Sequence, residues 1–471
     1  MKKVFKVFLL LLFFLIQAQF VFSQDEEASD SKSQPARGAK EIVIHGLIGT
    51  AETLFVNGAL VFYNTVLKQE PWAGGTLQSI KRNFTSPWKW EETDGFKVNQ
   101  VGHPIQGSLY YNAGRVNGFS FYESAFFSAL GSFTWEAFGE RSGASVNDFI
   151  TTTSVSMSLG EMLFRLYKEV RASGVPAIFP FFFNPIAGLH YLIAGYDPKD
   201  SGGNIYQFQA FLGMSWTATD TWLPNENRSI YSLGSLVGDI GFSVIYGNPF
   251  EQESRTPYEH FEFSMSLGIN ANYMGVRFLS DSYLFSFSPV FTDTDMMSTG
   301  LSLHYDFASL GKYSLYEGNV DQSANALDWT VKYQRLFSNG AVLQEKLHAG
   351  FTFFGVSDYY LPETSKKNMK NYGYGYNIKE FFSLEHKIPG KLEIGILYYN
   401  LLPYPGTSAI SYAFVNWLFV DLTYSRYITK HLSLGISDFF SAEWGFYMKS
   451  GFPDTKSVNN AVKFYLAWNY R

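Results

Sequence analysis

The chain has 471 residues, a formal net charge of −6, no Cys, 18% aromatic and 17% charged residues. The missing Cys excludes disulfides, thiolate metal sites and a lipid-modified N-terminal Cys, and with no long Lys/Arg cluster nucleic acid is not expected as a partner. So many aromatics and so few charges suit either a very large core or a surface that faces lipid.

Residues 1–23 read as a secretory signal. Lys2, Lys3 and Lys6 precede an apolar stretch over 7–16, and cleavage is expected after Ser23. The apolar stretch is shorter than the ~20 residues of a membrane span, which argues against an uncleaved anchor. Its three Lys leave with it, taking the formal charge from −6 to −9. Residues 24–40 (QDEEASDSKSQPARGAK) are polar and read as a disordered tether. The longest uncharged run, 175–196, carries Pro176, Pro180 and Pro185, and the run 53–67 is short, so helical membrane crossing is not expected.

Residues 41–46 (EIVIHG) are strand-like. Leu54, Val61, Phe62 and Val66 fall at helical intervals and predict a helix over 53–68, broken at Ala73-Gly74-Gly75. A short helix over 76–84 and a loop over 87–95 with Trp88 and Trp90 follow. Three helices are predicted over 104–117, 121–140 and 147–172, the first opened by Pro104 and the last capped by Ser145 or Asn147. Small residues (Gly107, Ala113 and Gly114, then Ser124, Ala125 and Ser128) allow close helix packing. Residues 180–195 read as an apolar loop.

Beyond residue 204 the period becomes two. Leu212, Met214 and Trp216 share one phase. Phe261, Phe263 and Met265 alternate with Glu262 and Ser264; Leu301, Leu303, Tyr305 and Phe307 with Ser302, His304 and Asp306; Leu327, Trp329 and Val331 with Asp328, Thr330 and Lys332. Such runs, up to the last one ending in Tyr470, match the ~9–11 residues of a tilted transmembrane strand, whereas soluble strands average about 5–6. Tyr359-Tyr360, Tyr398-Tyr399 and Tyr447 stand where interfacial girdles belong. The expected fold class is α+β: a helical plug or periplasmic domain over 41–200, then an antiparallel outer-membrane β-barrel of about 12 strands over 201–471. A soluble sandwich or lipocalin-like barrel is the alternative that strand length and the signal sequence disfavour.

The ionisable residues of the helical region are the candidates for chemistry. Glu136 and Glu140 are four apart and could share a helix face, to hold a cation or a proton. His103 precedes Pro104 at a helix start, Asn147-Asp148 open another helix, and Glu161 and Arg165 are spaced to pair. With Arg115 these eight form an expected polar network; His103, Glu136, Glu140 and Asp148 would be the catalytic set if a reaction is carried out. Each has a simpler role as a cap, an ion pair or a structural hydrogen bond. No G-x-S-x-G, H-E-x-x-H or phosphate loop occurs. His260, His304 and His348 fall in polar strand phases and read as scattered, not as a constellation. No metal or cofactor is implied.

The runs KWEETDGFKVNQVGHPIQGSLYYNAGRVNGFSFYESAFFSALGSFTWEAFGE, SVNDFITTTSVSMSLGEMLFRL and NPIAGLHYLIAG resemble a bacterial exported family described only as domain of unknown function 3943. The likeness spans about residues 51–196 and implies an exported, outer-membrane protein without implying an activity. His190-Tyr191 stand where the family pattern leads one to expect Asn-Arg. A looser likeness is to small helical membrane families such as the VanZ-like proteins. Three functions stay open: an envelope protein that binds or passes a lipid or small amphiphile, a lipid-modifying hydrolase or transferase, and a structural or adhesive surface protein. The expected partners are outer-membrane lipid, a lipid or amphiphile ligand and the barrel-assembly machinery.

Overall fold

A computed structural model describes residues 38–90, 95–176, 178–194, 202–223, 228–250, 254–271, 273–310, 320–359, 369–404, 413–447 and 454–470. The expected signal sequence and most of the tether lie outside these residues. The chain forms two compact units, Met1–Gly203 and Asn204–Arg471.

In the first unit, helix α1 (Ala39–Phe62) continues through a π-helical turn, Tyr63–Leu67. The expected strand at 41–46 is therefore helix, and that helix takes in Ala39 and Lys40, which were expected as tether. The local reason is at the helix start: Glu41 reaches back to accept from the Gly38 N–H at 3.2 Å, and the β-branched run Ile42-Val43-Ile44 joins the helical period of 53–68. Ala39–Leu67 is long and apolar enough to cross a membrane, which corrects the reading of 53–67 as too short. Glu52 had divided the run in the sequence. It is tied internally: Oε1 lies 2.8 Å from His190 Nδ1 and Oε2 accepts from Asn117 Nδ2 at 2.6 Å. Asn57 pins the same helix by donating to Gly131 O and to Thr134 Oγ1.

Helices α2 (Leu77–Thr85), α3 (His103–Val116), α4 (Phe121–Thr134) and α5 (Val146–Ala172) follow the predicted order. Residues 180–195, expected as a loop, instead form α6 (Ile178–Phe183) and α7 (Pro185–Ala194). The prolines do not forbid this, because Pro185 opens α7, where its missing N–H costs nothing, and the Asn184 side chain caps it by accepting from Ala187 N at 2.9 Å. Val56, Tyr110, Ala113, Val116, Phe164, Tyr167, Ile186 and Ala187 bury together as one core. Gly107 lets α3 meet α5: a Cβ there would collide with Thr152 O and Ser156 Cβ.

The second unit is a closed antiparallel barrel of twelve strands in sequence order, with the first paired to the last from Phe208↔Tyr470 to Trp222↔Lys456. The strands are β1 (Ile205–Leu223), β2 (Arg228–Tyr246), β3 (Phe261–Ile269), β4 (Met274–Phe291), β5 (Asp295–Leu310), β6 (Val320–Leu336), β7 (Val342–Tyr359), β8 (Met369–His386), β9 (Gly390–Pro403), β10 (Ala413–Tyr427), β11 (Leu432–Tyr447) and β12 (Thr455–Tyr470). Closure pairs every edge, which a strand surrounded by lipid requires.

Period two sorts the side chains. Leu212, Met214, Trp216, Leu236, Ile240, Trp329, Leu347, Phe351, Ile378, Leu422, Phe464 and Trp468 are exposed on the outer face, while the opposite phase carries the charges. Two girdle expectations are corrected. Tyr399 is fully buried and points inward, donating to Asp306, and Tyr447 turns inward to accept from Asn371 Nδ2 at 3.1 Å. Leu303, Tyr305 and Phe307, placed on the outer face by their period, are buried as well.

Candidate functional site in the barrel lumen

The eight helical candidates fall into two groups. Around the first turn of α5, His103 Nε2 lies 3.5 Å from Asp148 Oδ1, Asn147 Nδ2 donates to the same oxygen at 3.1 Å, and Gln100 Nε2 donates to Asn147 Oδ1 at 3.4 Å. Ser145 caps the helix by accepting from Asp148 N, and its own N–H donates to Glu136 Oε2 at 2.7 Å. Glu140 does not share a helix face with Glu136. A π-helical turn, Trp135–Gly139, intervenes, and Glu140 accepts from Trp135 Nε1 at 2.8 Å in extended backbone.

The second group stands thirteen residues further along α5, about 20 Å at 1.5 Å per residue. Fully buried Glu161 meets Arg115 Nε at 2.8 Å and Arg165 Nε at 2.9 Å and accepts from Tyr111 OH at 2.9 Å. Burial would raise the Glu161 carboxyl, but Arg115 and Arg165 together hold it below its ordinary value. A depressed carboxylate contributes stability that is present above the unfolded pKa of about 4.3 and is lost as pH falls through the folded value. Helical-unit stability followed by circular dichroism is expected to fall in that acid window. Glu161→Gln is expected to flatten that part of the profile.

The barrel interior holds a denser set, because inward phases of successive strands carry opposite charges at one level. Lys332 on β6 is 1% exposed, and its Nζ lies 2.8 Å from Glu262 Oε1 on β3 and 2.7 Å from Asp281 Oδ2 on β4. It also reaches His260 Nε2 at 2.7 Å; His260 turns Nδ1 toward Gly247 O at 3.1 Å, which leaves Nε2 to accept. Lys346 on β7 takes the other oxygen of Glu262 at 2.6 Å. Lys379 on β8 donates to Asp306 on β5 at 2.5 Å. Arg277 on β4 makes a bidentate pair with Asp421 on β10, Nη1 to Oδ1 at 2.8 Å, and its guanidinium lies 4.4 Å from the Phe439 ring centroid. These strands are not neighbours, so the ion pairs cross the lumen.

His304 on β5 and His348 on β7 meet edge to face with ring centroids 4.9 Å apart. Asp281, His304 and His348 bring ligand-type atoms within 4.8 Å of one another. The three His residues that read as scattered are thus drawn to one level, His304 and His348 beside Asp281 and His260 across Lys332. Gly350 on β7 makes room: a Cβ there would collide with the Asp328 side chain on β6.

Toward the opposite rim the interior is apolar. Leu397, Tyr399 and Leu401 of β9 pack with Val415, Trp417 and Phe419 of β10 and with Ala308, Leu310 and Ala324. Between the charged level and the rim that carries the short turns lies a cavity of about 380 Å³. Its wall includes Glu262, Arg277, Asp281, Lys346, Lys391, Glu393 and Asp421, with Phe211, Leu279 and Phe381 between them. The polarity of these positions was legible in the strand phases. The register that assembles them was not.

Residues 87–186 match the family model of a domain of unknown function (DUF3943). The VanZ-like resemblance finds no support, and no curated protein matches the chain. Among solved structures the chain is similar to the toluene transporter TodX of P. putida (8% identity, 57% of this chain and 91% of that one, TM-score 0.23). It is also similar to a Pseudomonas aeruginosa FadL homologue (8%, 56% and 90%, 0.22) and to the outer membrane protease OmpT of Escherichia coli (8%, 56% and 97%, 0.19). At these values the likeness carries no functional argument, and the barrel assignment rests on its own strand ladder. His190 and Tyr191, the departure from the expected family pattern, have partners: His190 holds Glu52, and Tyr191 lies 4.8 Å under the Arg171 guanidinium.

Proposed function

We propose that this chain is an exported outer-membrane barrel whose lumen binds a small amphiphile with a zwitterionic head. The carrying observation is the 380 Å³ cavity, of small-molecule size, walled by both signs of charge beside inward aromatic and aliphatic side chains. The exposed apolar outer face and strands of 9 to 19 residues suit a bilayer. The domain plan that goes with this reading keeps a cleaved signal ending near Ser23 and the helical unit as a plug or periplasmic domain. The polar residues of that unit serve as caps and ion pairs, which leaves the lumen as the binding site. A twelve-stranded barrel lies between the filled eight-stranded and the water-filled sixteen-stranded types, so its side chains decide whether it is open. Here crossed ion pairs and an apolar layer occupy the section, which favours binding over free diffusion.

The test is saturation-transfer NMR on the full chain in nanodiscs with hexylphosphocholine, hexanoate and hexylammonium as probes. The zwitterion is expected to bind best, and Lys346→Ala and Arg277→Ala are expected to weaken it about tenfold each, the loss of ~1.4 kcal/mol from a charged contact. Equal binding by all three probes, or binding indifferent to both substitutions, would rule the reading out.

A further inference from the structure

The geometry points to a binding site for a first-row divalent cation, zinc foremost, formed by His304 Nε2, His348 Nε2 and Asp281. Three observations converge. First, both imidazoles are 1% exposed and each uses Nδ1 elsewhere: His304 Nδ1 lies 3.1 Å from Ser280 O, and His348 Nδ1 lies 2.8 Å from Thr330 Oγ1. At His304 a hydrogen bond from Nδ1–H to the Ser280 carbonyl fixes the tautomer that leaves Nε2 as a lone-pair donor, which is how metal-ligating His is commonly held, and at His348 the Thr330 hydroxyl is able to accept from Nδ1–H in the same way.

Second, the donors on the facing side are unsatisfied. His304 Nε2 and Asp281 Oδ1 are buried without a hydrogen-bond partner, and Asp328 Oδ2 stands 3.3 Å from His304 Nε2. Leaving such atoms unpaired in a closed interior is costly, and a cation bound by His304 Nε2 and Asp281 would satisfy both. Lys332 does not use up this set, since it approaches Asp281 through Oδ2 and shares itself with Glu262.

Third, the donors converge. One ligand atom from each of Asp281, His304 and His348 lies within 4.8 Å of the others, so drawing in by about an ångström brings them to ligand spacing. Donors about 2.0–2.1 Å from a tetrahedral zinc stand roughly 3.3–3.4 Å from each other. Two imidazoles with one carboxylate form a set that suits zinc or iron better than calcium or magnesium, with a fourth position left for water. The donors come from β4, β5 and β7, so the cation would also tie three strands together. Asp281, His304 and His348 line the cavity, so the metal would be reached from it. The inference does not depend on which ligand the cavity takes.

The experiment uses tag-free full-length mature protein in detergent, stripped with a chelator and dialysed against Zn²⁺, with bound metal measured by mass spectrometry. A parallel titration with Co²⁺ is followed by visible absorption. One equivalent per chain is expected, with the intense d–d bands of a tetrahedral nitrogen–oxygen site. His304→Gln and His348→Gln are each expected to weaken binding at least ~100-fold, since removal of a supporting group alone costs 10–100-fold. His386→Gln, at the end of β8 and not among these donors, is expected to change nothing. Folding of each variant is read from its heat-dependent gel mobility. The wild-type cobalt spectrum does not depend on any variant, so a spectrum without tetrahedral bands overturns the proposal. So does metal binding that survives both His substitutions.

Discussion

Lys332→Met is expected to destabilise the folded barrel by about 3–5 kcal/mol, the cost of removing one partner from a buried ion pair. The ammonium of Lys332 is the point at which Glu262, Asp281 and His260 meet. Methionine conserves much of the stem volume, so the loss is electrostatic and not a cavity effect. What remains is two carboxylates facing each other with Lys346 alone beside Glu262. Urea unfolding in lipid vesicles, read by tryptophan fluorescence, measures the change. Adding Glu262→Gln and Asp281→Asn to the same chain is expected to recover most of it, because neutral amides do not need the cation. A change under about 1 kcal/mol for Lys332→Met alone would mean that these carboxylates are well hydrated.

Tyr399→Ala with Trp417→Ala is the second large effect. Both rings are buried in the apolar layer, with centroids 5.3 Å apart. Each truncation of a large buried aromatic costs about 3–5 kcal/mol, and neighbours in contact need not add. The pair also fills the section where the lumen is apolar, and the Tyr399 hydroxyl donates to Asp306. The double variant is therefore expected both to unfold at lower urea and to leak ions when reconstituted. Lower stability without leakage would show that other side chains close the section.

The barrel was legible in the sequence because its signal is local. Leu327, Trp329 and Val331 alternating with Asp328, Thr330 and Lys332 announce an apolar outside and a polar inside without any tertiary knowledge. The lumen cluster was not legible, since it depends on which residues share a level around the barrel. Thr330↔His348 and Lys332↔Lys346 are neighbours by strand register, whereas Arg277 and Asp421 meet across the lumen. A one-residue slip would reverse every one of these side chains. Charged residues in the inner phase of β3, β5 and β6 were the available hint.

The helical region shows the opposite limit. Ser145 as a cap and Glu161 with Arg165 as a pair follow from spacing alone. Arg115 as the second partner of Glu161 required the α3–α5 packing that Gly107 permits. The run Ile42-Val43-Ile44 misleads because β-branched residues favour strands, yet continuity with the helix that follows decides the matter. The divided apolar run failed for a different reason, since a single charge such as Glu52 is tolerated in a long helix when His190 and Asn117 receive it.

The central claim is that the lumen is a charge-lined binding pocket closed across its section. Planar-bilayer recording of the purified wild-type chain tests it most directly. The expected record is silent, with no current steps, at moderate voltages in symmetric salt. Stable ohmic steps from the wild-type protein would show a continuous aqueous path and would contradict the claim.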